Sequence, residues 1–281
     1  MGMRIQNQPQ INYNYGYKPN FTSSTREVKD ELGHLLYRNV THYFRDDIKD
    51  WNKYTNFIID KFKTADKVNL YSIGCSTGNE IFGSIALIME KLGSNGAKKF
   101  LPATAVDIDE TILKAAQSGK SNASRGDIKR IKEMLGDNHT KYFNFDNIFR
   151  RIEGENEELC TATINPILLN NVKFIQSNAQ DFVKQIEPKN SIVMARNFWP
   201  YLSAKDQIKL SEDLGAKLEK NSMCVLGEYD LDRCSADALL THEDAGFDIS
   251  DVDYVYVKRD TNENKQLSDP QFLQATFIPK K

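Results

Sequence analysis

Residues Asn69 to Phe82 spell "NLYSIGCSTGNEIF". An apolar run typical of a buried strand ends at Gly74, a second glycine follows at Gly78, and apolar residues then recur at helical spacing from Ile81. A strand, a glycine turn and a helix in this order usually bind a ligand at the start of the helix, where backbone N–H groups are unpaired. We therefore expect a ligand-binding α/β domain built around this turn.

The composition of the 281-residue chain indicates a soluble globular protein. Hydrophobic residues make up 40% and charged residues 27% of it, and the longest apolar run, around Ile81–Met89, is too short to span a bilayer. The formal net charge is −2, which argues against nucleic acid as a partner. Four scattered cysteines without a CxxC pair predict reduced thiols in a cytoplasmic protein, and four scattered histidines predict no metal site.

Hydrophobic periodicity divides the chain into a tail, a helical segment and one large domain. Residues 1–22 lack periodicity and are predicted to form a disordered tail. Residues 23–66 carry two helical stripes, the first opened by a capping box at Ser24. From residue 67 to residue 281, strand patterns alternate with helical ones, which predicts an α/β fold with a mostly parallel sheet covered by helices on both faces.

Two segments depart from this alternation. Residues 139–170 include "NIFRRIEGENEELCTATI", a pattern of two alternating strands around a Gly-Glu-Asn turn, which predicts a small antiparallel β insertion. Near the C-terminus, "VDYVYVKR" and "LQATFI" are joined by a polar loop and predict an antiparallel hairpin at one edge of the sheet.

Three ligands compete for the glycine turn. A nucleoside triphosphate loop needs GxxxxGK[ST], but Asn79 and Glu80 follow Gly78, so no lysine meets a phosphate. A dinucleotide loop carries GxGxxG and a strand-end acid about 20 residues later, whereas this chain has two glycines and its acid, Asp107, comes later. S-adenosylmethionine, the third candidate, has a ribose for such an acid, no pyrophosphate, and cationic sulfonium and amino groups.

Glu80 favours the third candidate. A carboxylate in the first turn of the helix would repel a pyrophosphate and attract the cationic methionine end of S-adenosylmethionine. The structural alternative is that Glu80 is a favourable first-turn acid and that the glycines only turn the chain. The strand-end acid Asp107 adds weight to the cofactor interpretation.

Four stretches, in the order "RNVTHYFR" (38–45), "YSIGCSTGNE" (71–80), "VDIDETILKAAQSG" (106–119) and "RNFWPYL" (196–202), are together similar to the CheR-type chemotaxis receptor methyltransferases. These enzymes transfer a methyl group from S-adenosylmethionine to receptor glutamates. The similarity runs from about Asn39 to Lys258 and includes the β insertion. It implies a Rossmann-like class I methyltransferase sheet and an acidic protein substrate, for example a chemoreceptor-like protein.

The resemblance also assigns roles to individual residues. Those at cofactor-binding positions are Asn39, Thr41, Arg45, Gly74, Gly78, Glu80, Asp107, Asn178, Ala179, Asn197 and Phe198. The first three match a polar segment that closes over the cofactor, Glu80 matches the acid near the methionine end, and Asp107 matches the ribose-binding acid. Asn178 matches the residue beside the adenine, and the last two lie with Tyr201 beside the methyl group.

The chain departs from the family pattern at two places. Only 38 residues precede Asn39, so the family's N-terminal helical domain with its basic receptor-facing helix is not expected. After the fifth strand, the family's Gly-His-Ser-Glu type segment is replaced by Gly227-Glu228-Tyr229-Asp230. This change is expected to bring two acids near a site that would receive an acidic substrate.

Methyl transfer to a carboxylate needs alignment of the reactants rather than a general base, because a glutamate is already ionised at neutral pH. We assign the catalytic parts to Arg45, which would orient the anion, and Tyr201, which would hydrogen-bond near the reacting centre. The structural alternatives are a salt bridge of Arg45 with Asp46 or Asp47 and a packed aromatic role for Tyr201. Arg196, one residue inside the strand end, is expected to be structural.

Two other functions stay open at this point. "NFWPY" is similar to the Asn-Pro-Pro-Tyr loop of methyltransferases that act on adenine or glutamine, although the spacing is one residue longer, so N-methylation is the alternative reaction. The second alternative is a non-catalytic domain that binds S-adenosylmethionine as a sensor. For a protein acceptor, the insertion at 139–170 is the main candidate for docking, because its free edge would accept an extended peptide and Arg150 and Arg151 would attract acidic residues. The structural alternative is that the insertion packs on the main sheet and covers the cofactor without recognising a partner.

Overall fold

The computed structural model describes residues 41–151 and 158–260. The helices in this part of the chain are α1 (Trp51–Lys61), α2 (Asn79–Ala97), α3 (Glu110–Gln117), α4 (Arg125–Leu135), α5 (Pro166–Leu169), α6 (Ala179–Val183), α7 (Ala204–Lys217), α8 (Glu228–Cys234) and α9 (Ala236–Thr241). The strands are β1 (Asn69–Ile73), β2 (Ala103–Asp107), β3 (Lys120–Ser124), β4 (Phe143–Phe145), β5 (Arg150–Arg151), β6 (Glu158–Ile164), β7 (Val172–Gln176), β8 (Ser191–Met194), β9 (Met223–Val225), β10 (Phe247–Ile249) and β11 (Val255–Lys258).

Seven strands form the main sheet in the order β10-β11-β9-β8-β1-β2-β7. The five strands from β9 to β7 are parallel, while β11 runs antiparallel to both β9 and β10. The order reverses between β1 and β8, and ligands of doubly wound sheets bind at such a switch point, outside the carboxyl ends of the strands. The predicted α/β fold with a mostly parallel, Rossmann-like sheet is confirmed.

Local sequence signals explain how the helices around this edge begin. Asp109 caps α3 by accepting hydrogen bonds from the backbone N–H groups of Thr111 and Ile112, and Ser203 caps α7. The helix α2 begins after Gly78, and Gly93 breaks its regular geometry with φ +66°. Two apolar clusters, one on each face of the sheet, hold these helices in place.

The insertion is larger than the predicted pair of strands. It is a four-stranded antiparallel sheet in which β6 is central and pairs with β3, β4 and β5. The strand β3 lies outside the predicted range of 139–170. The side chains of Phe143, Ala162 and Ile164 are buried in the same apolar cluster as α2. Deleting residues 139–170 would therefore damage the core, so any docking role is better tested with point substitutions.

The antiparallel edge of the main sheet also differs in detail from the predicted hairpin. Val255–Lys258 forms the expected strand within "VDYVYVKR", but it pairs with β10 at Phe247–Ile249. The predicted partner "LQATFI" lies outside the described residues, as do the predicted tail and the helix that Ser24 would open. Among the helices of residues 41–151 and 158–260, none has the length and apolar character needed to cross a bilayer.

Candidate functional site

The glycine turn lies at the carboxyl edge of the sheet, between the ends of β1 and β2. Gly74 and Gly78 have φ angles of +68° and +81°, values that favour glycine. Cys75 donates its backbone N–H to the Val106 carbonyl at 2.9 Å, which ties the turn to β2. A Cβ atom on Gly74 would lie 3.1 Å from the Cβ of Phe198. The turn is therefore packed directly against the segment that follows β8.

Asp107 ends β2 and holds the turn from the other side. Its carboxylate accepts the backbone N–H of Ser76 at 2.8 Å and that of Asp109 at 3.0 Å, and the residue is 7% exposed. Burial raises the pKa of Asp107, and these N–H donors partly oppose the shift. Each carboxylate oxygen keeps a lone pair for a further donor, so the arrangement fits the ribose hydroxyls of S-adenosylmethionine.

We expect Asp107→Ala to weaken binding of S-adenosylhomocysteine, the demethylated form of the cofactor, by about 1.5–3 kcal/mol, because the charged hydrogen bond to the ribose is lost. Isothermal calorimetry measures this change. Asp109→Ala is the matched control, since its side chain caps α3 and should affect stability more than affinity. An unchanged affinity in Asp107→Ala would show that Asp107 does not bind the ribose.

Glu80 belongs to a buried cluster of three charges. The Nη1 atom of Arg196 lies 2.5 Å from the Oε2 atom of Glu80, and its Nη2 atom contacts the Oδ1 atom of Asp47. The Arg196 guanidinium is inaccessible to solvent and lies 5.2 Å from the centre of the Trp51 ring. Burial raises the pKa of Glu80, while Arg196 outweighs burial at Asp47 and lowers the pKa of that carboxyl. Arg196 is structural, as predicted, and it directly holds the predicted methionine-end acid.

Residues 41–47 form a segment that runs beside the start of α2. The carbonyl of Thr41 accepts a hydrogen bond from the Asn79 amide at 2.9 Å, and the backbone N–H of Tyr43 is donated to Asp127 at 3.0 Å. Arg45, half-buried, is close enough to lower the pKa of Glu80 by electrostatic attraction. The structure thus brings Thr41 and Arg45 to the first turn of α2, whereas Asn39 lies outside the described residues.

The neighbouring acids of Arg45 have other partners. Asp46 pairs with Arg130 at 3.2 Å, and Asp47 pairs with the buried Arg196. A salt bridge to one of these two acids was the structural alternative for Arg45, and both acids fix the segment through Arg130 and Arg196. Asp47 is therefore a site residue that local sequence reasoning missed.

Asn178 and Ala179 follow β7, next to Asp107. The backbone N–H of Ser177 is donated to the Asp107 carbonyl at 3.0 Å, so the two strand ends are adjacent. The Asn178 side chain caps α6 by accepting the Asp181 N–H at 2.8 Å, and its amide group donates to the Asp181 carboxylate at the same distance. The position suits the predicted place beside the adenine, and the capping bonds give Asn178 a structural role as well.

The segment after β8 carries the predicted reacting end. Asn197 has φ +58°, and its amide group donates to Asp47 at 3.4 Å while its oxygen accepts the Tyr229 N–H at 3.3 Å. Phe198 packs on Gly74, and Tyr201 ends a short 3₁₀ turn from Trp199 to Tyr201. Phe198 therefore reaches the glycine turn, and Asn197 contacts Asp47 of the charge cluster.

The expectation that the two acids Glu228 and Asp230 both lie near the acceptor is wrong for Asp230. Glu228 is exposed at the start of α8, but Asp230 is inaccessible to solvent and accepts three backbone hydrogen bonds. Its side chain points into the protein because α8 turns directly after β9. The helix α8 has no predicted counterpart, so sequence reasoning gave no sign of this orientation.

Solved structures that are similar to this chain include PKMT2 from Rickettsia typhi in complex with AdoHcy (14% identity, 57% of this chain and 21% of that chain, TM-score 0.32). A second is precorrin 8W decarboxylase from Methanobacterium thermoautotrophicum (12% identity, 71% of this chain and 74% of that chain, TM-score 0.36). A third is magnesium protoporphyrin IX methyltransferase from Synechocystis PCC 6803 with bound SAM (13% identity, 74% of this chain and 77% of that chain, TM-score 0.34). No curated protein matches the chain.

The family model for "CheR methyltransferase, SAM binding domain" matches residues 39–233. This match covers well over half of the 281 residues and contains the glycine turn, the strand-end acid and the segment after β8. The resemblance to CheR-type enzymes and the predicted cofactor are thereby confirmed. The chain belongs to the CheR methyltransferase family, and S-adenosylmethionine is its cofactor.

Proposed function

We propose that this S-adenosylmethionine-dependent methyltransferase esterifies a glutamate carboxylate on an acidic protein. When bound, the cofactor supplies a methyl group on a positively charged sulfur. The proposal rests on one observation: the buried acids at the site already have hydrogen-bonding or ionic partners within the protein. Asp47 and Glu80 are paired with Arg196, and Asp230 accepts three N–H groups. None of these three is placed as a general base, and a carboxylate acceptor needs none.

The residues around the turn then act by orientation and exclusion of water. The segment 41–47 carries Arg45 to the side of Glu80, where a guanidinium can pair with a substrate anion. Phe198 packs over Gly74 and limits the entry of water. Holding two reactants in line accounts for a large part of the rate enhancement of such a displacement.

Asn197 argues against the alternative reaction on nitrogen. In the Asn-Pro-Pro-Tyr loops, the asparagine oxygen accepts a hydrogen bond from the amine or amide to be methylated. Here that oxygen accepts the Tyr229 N–H, and a Cβ on Gly227 would lie only 2.2 Å from it. The close contact with Gly227 leaves the amide little freedom to turn toward a substrate.

For the partner, we propose an acidic, chemoreceptor-like protein that contacts the insertion. Arg150 and Arg151 are exposed there. Arg125, at the start of α4, stacks 3.8 Å from the centre of the Phe149 ring and pairs with Glu158 at 3.6 Å. The strand β5 pairs with β6 on one side. Positive charge along this edge would attract an acidic extended segment.

The acceptor chemistry is tested with tritiated S-adenosylmethionine and a host lysate. We expect labelled protein that releases volatile methanol in base, since carboxyl methyl esters hydrolyse and N-methyl groups do not. Label that survives base would support N-methylation, and a lack of any incorporation would favour a sensor. Repeating the assay with Arg150→Glu/Arg151→Glu should reduce labelling of the same protein, whereas Lys129→Glu, an exposed change on α4, should not.

A further inference from the structure

The segment after β8 is held by one buried carboxylate from another element. The Oδ2 atom of Asp230 accepts the Asn197 N–H at 2.6 Å and the Gly227 N–H at 2.8 Å. Its Oδ1 atom accepts the Trp199 N–H at 3.1 Å. Asp230 therefore joins the residues after β8 to the residues after β9 through two hydrogen bonds, while the third, from Gly227, lies within its own segment at the start of α8. No solvent reaches the side chain.

The bonds from Asn197 and Trp199 fix a conformation that the segment after β8 does not favour by itself. Asn197 has a positive φ of +58°, which costs energy for a residue with a side chain. Trp199 is fully buried and its Nε1–H is donated to the Ala195 carbonyl at 2.9 Å. The 3₁₀ turn that ends at Tyr201 follows directly, so a shift at residues 197–199 would move Tyr201.

We propose that Asp230 is a positioning residue that holds Asn197, Phe198 and Tyr201 in the geometry required for methyl transfer. The inference rests on the proposed function, because it places Tyr201 at the reacting end. It assigns Asp230 no contact with the substrate or the cofactor. Its effect reaches the reaction through the backbone of residues 197–199.

The protonation of Asp230 gives the proposal a pH signature. Burial raises the pKa of Asp230 to about 7, although the three N–H donors and Arg196 favour the ionised form. The titratable or charged groups that interact with it from the surrounding elements are Arg196, Cys234 and Tyr256. The ionised form accepts all three N–H groups most strongly. The rate should therefore rise with pH through about 7, a range in which an acceptor glutamate is already ionised.

The test compares Asp230→Asn with Asp232→Asn, an exposed change on the same helix. We expect Asp230→Asn to lower the maximal rate of base-labile methyl incorporation roughly 10- to 100-fold, as for a misplacement of about 1 Å. Affinity for S-adenosylhomocysteine should fall less than the rate, because Glu80 and Asp107 keep their contacts while Asn197 and Phe198 shift. The pH dependence between pH 6 and 8 should also disappear in Asp230→Asn, and Asp232→Asn should behave as the wild type.

Fluorescence provides a readout that does not depend on the acceptor. The chain has two tryptophans, so Trp51→Phe leaves Trp199 as the reporter. Its emission should change between pH 6 and 8, and the added Asp230→Asn should abolish that change. A wild-type rate in Asp230→Asn, or a Trp199 emission that is constant with pH, would overturn the proposal. If the wild type forms no base-labile methyl groups, the proposed acceptor fails, and the Trp199 response still decides whether Asp230 holds the segment.

Discussion

Replacing Arg196 with methionine is expected to lower the free energy of unfolding at pH 7 by about 3–5 kcal/mol. Removing one partner of a buried ion pair leaves an uncompensated charge, and here two carboxylates, those of Asp47 and Glu80, lose their common partner. Methionine keeps much of the packing against Trp51. Urea denaturation followed by circular dichroism measures the loss.

The size of this effect should depend on pH in a defined direction. Without Arg196, burial raises the folded-state pKa of both carboxyl groups above their unfolded values of about 4. The folded variant then binds more protons than the unfolded chain, so its stability falls as pH rises through the window above pH 4. The deficit relative to the wild type should accordingly shrink when the measurement is repeated near pH 5.

Lys114→Met supplies the matched control for this prediction. Lys114 pairs with Glu110 at 2.8 Å, but both side chains are more than half exposed. An exposed helical pair contributes about 0.5 kcal/mol or less, so this variant should unfold close to the wild type. If Arg196→Met has the same free energy of unfolding as the wild type, the charge cluster does not stabilise the fold.

The parts of the site that could be predicted from the sequence are those that follow from local order. Gly74 and Asp107 come directly after apolar runs, Gly78 follows four residues after Gly74, and parallel strands place their carboxyl ends on one edge. Their proximity is thus a consequence of chain order and sheet topology. The helices that begin at Asp109 and Ser203 also carry their own capping signals.

The contacts that escaped prediction join residues far apart in the sequence. Asp47 and Arg196 are separated by 149 positions, and Asn197 and Asp230 by 33. No periodicity marks such pairs, because each charged residue looks locally like an ordinary surface residue. Burial and pairing become visible only when the segment 41–47 and the helix α8 are placed beside β8.

The insertion illustrates the same limit for secondary structure. Lys120–Ser124 reads "KSNAS", which has low strand propensity and no large apolar residue. It forms β3 because each of its five residues pairs with β6, and its Ser121 hydroxyl lies 2.7 Å from the hydroxyl of the buried Tyr43. Tertiary pairing here overrides local propensity, so two strands were predicted where four exist.

Replacing Arg45 with alanine, or Tyr201 with phenylalanine, is expected to reduce the rate of methyl transfer roughly 100-fold in each case. Arg45 lies on the segment beside Glu80, and Tyr201 ends the turn that follows Phe198, which packs on Gly74. Both are thus carried to the end of the site at which the family resemblance places the methyl group. Loss of an orienting contact of this kind typically costs about two orders of magnitude.

The separation of rate from affinity distinguishes these roles from structural ones. Tyr201→Phe should bind S-adenosylhomocysteine as the wild type does, and Arg45→Ala should lose less in affinity than in rate. Arg45→Lys keeps the charge without the planar fork and should recover only part of the rate. Tyr229→Phe removes a similar hydroxyl from an exposed side chain on α8 and should leave the rate unchanged. Wild-type rates in both Arg45→Ala and Tyr201→Phe would exclude the two from the reaction, and an Arg45→Ala variant that loses more affinity than rate would make Arg45 a cofactor ligand alone.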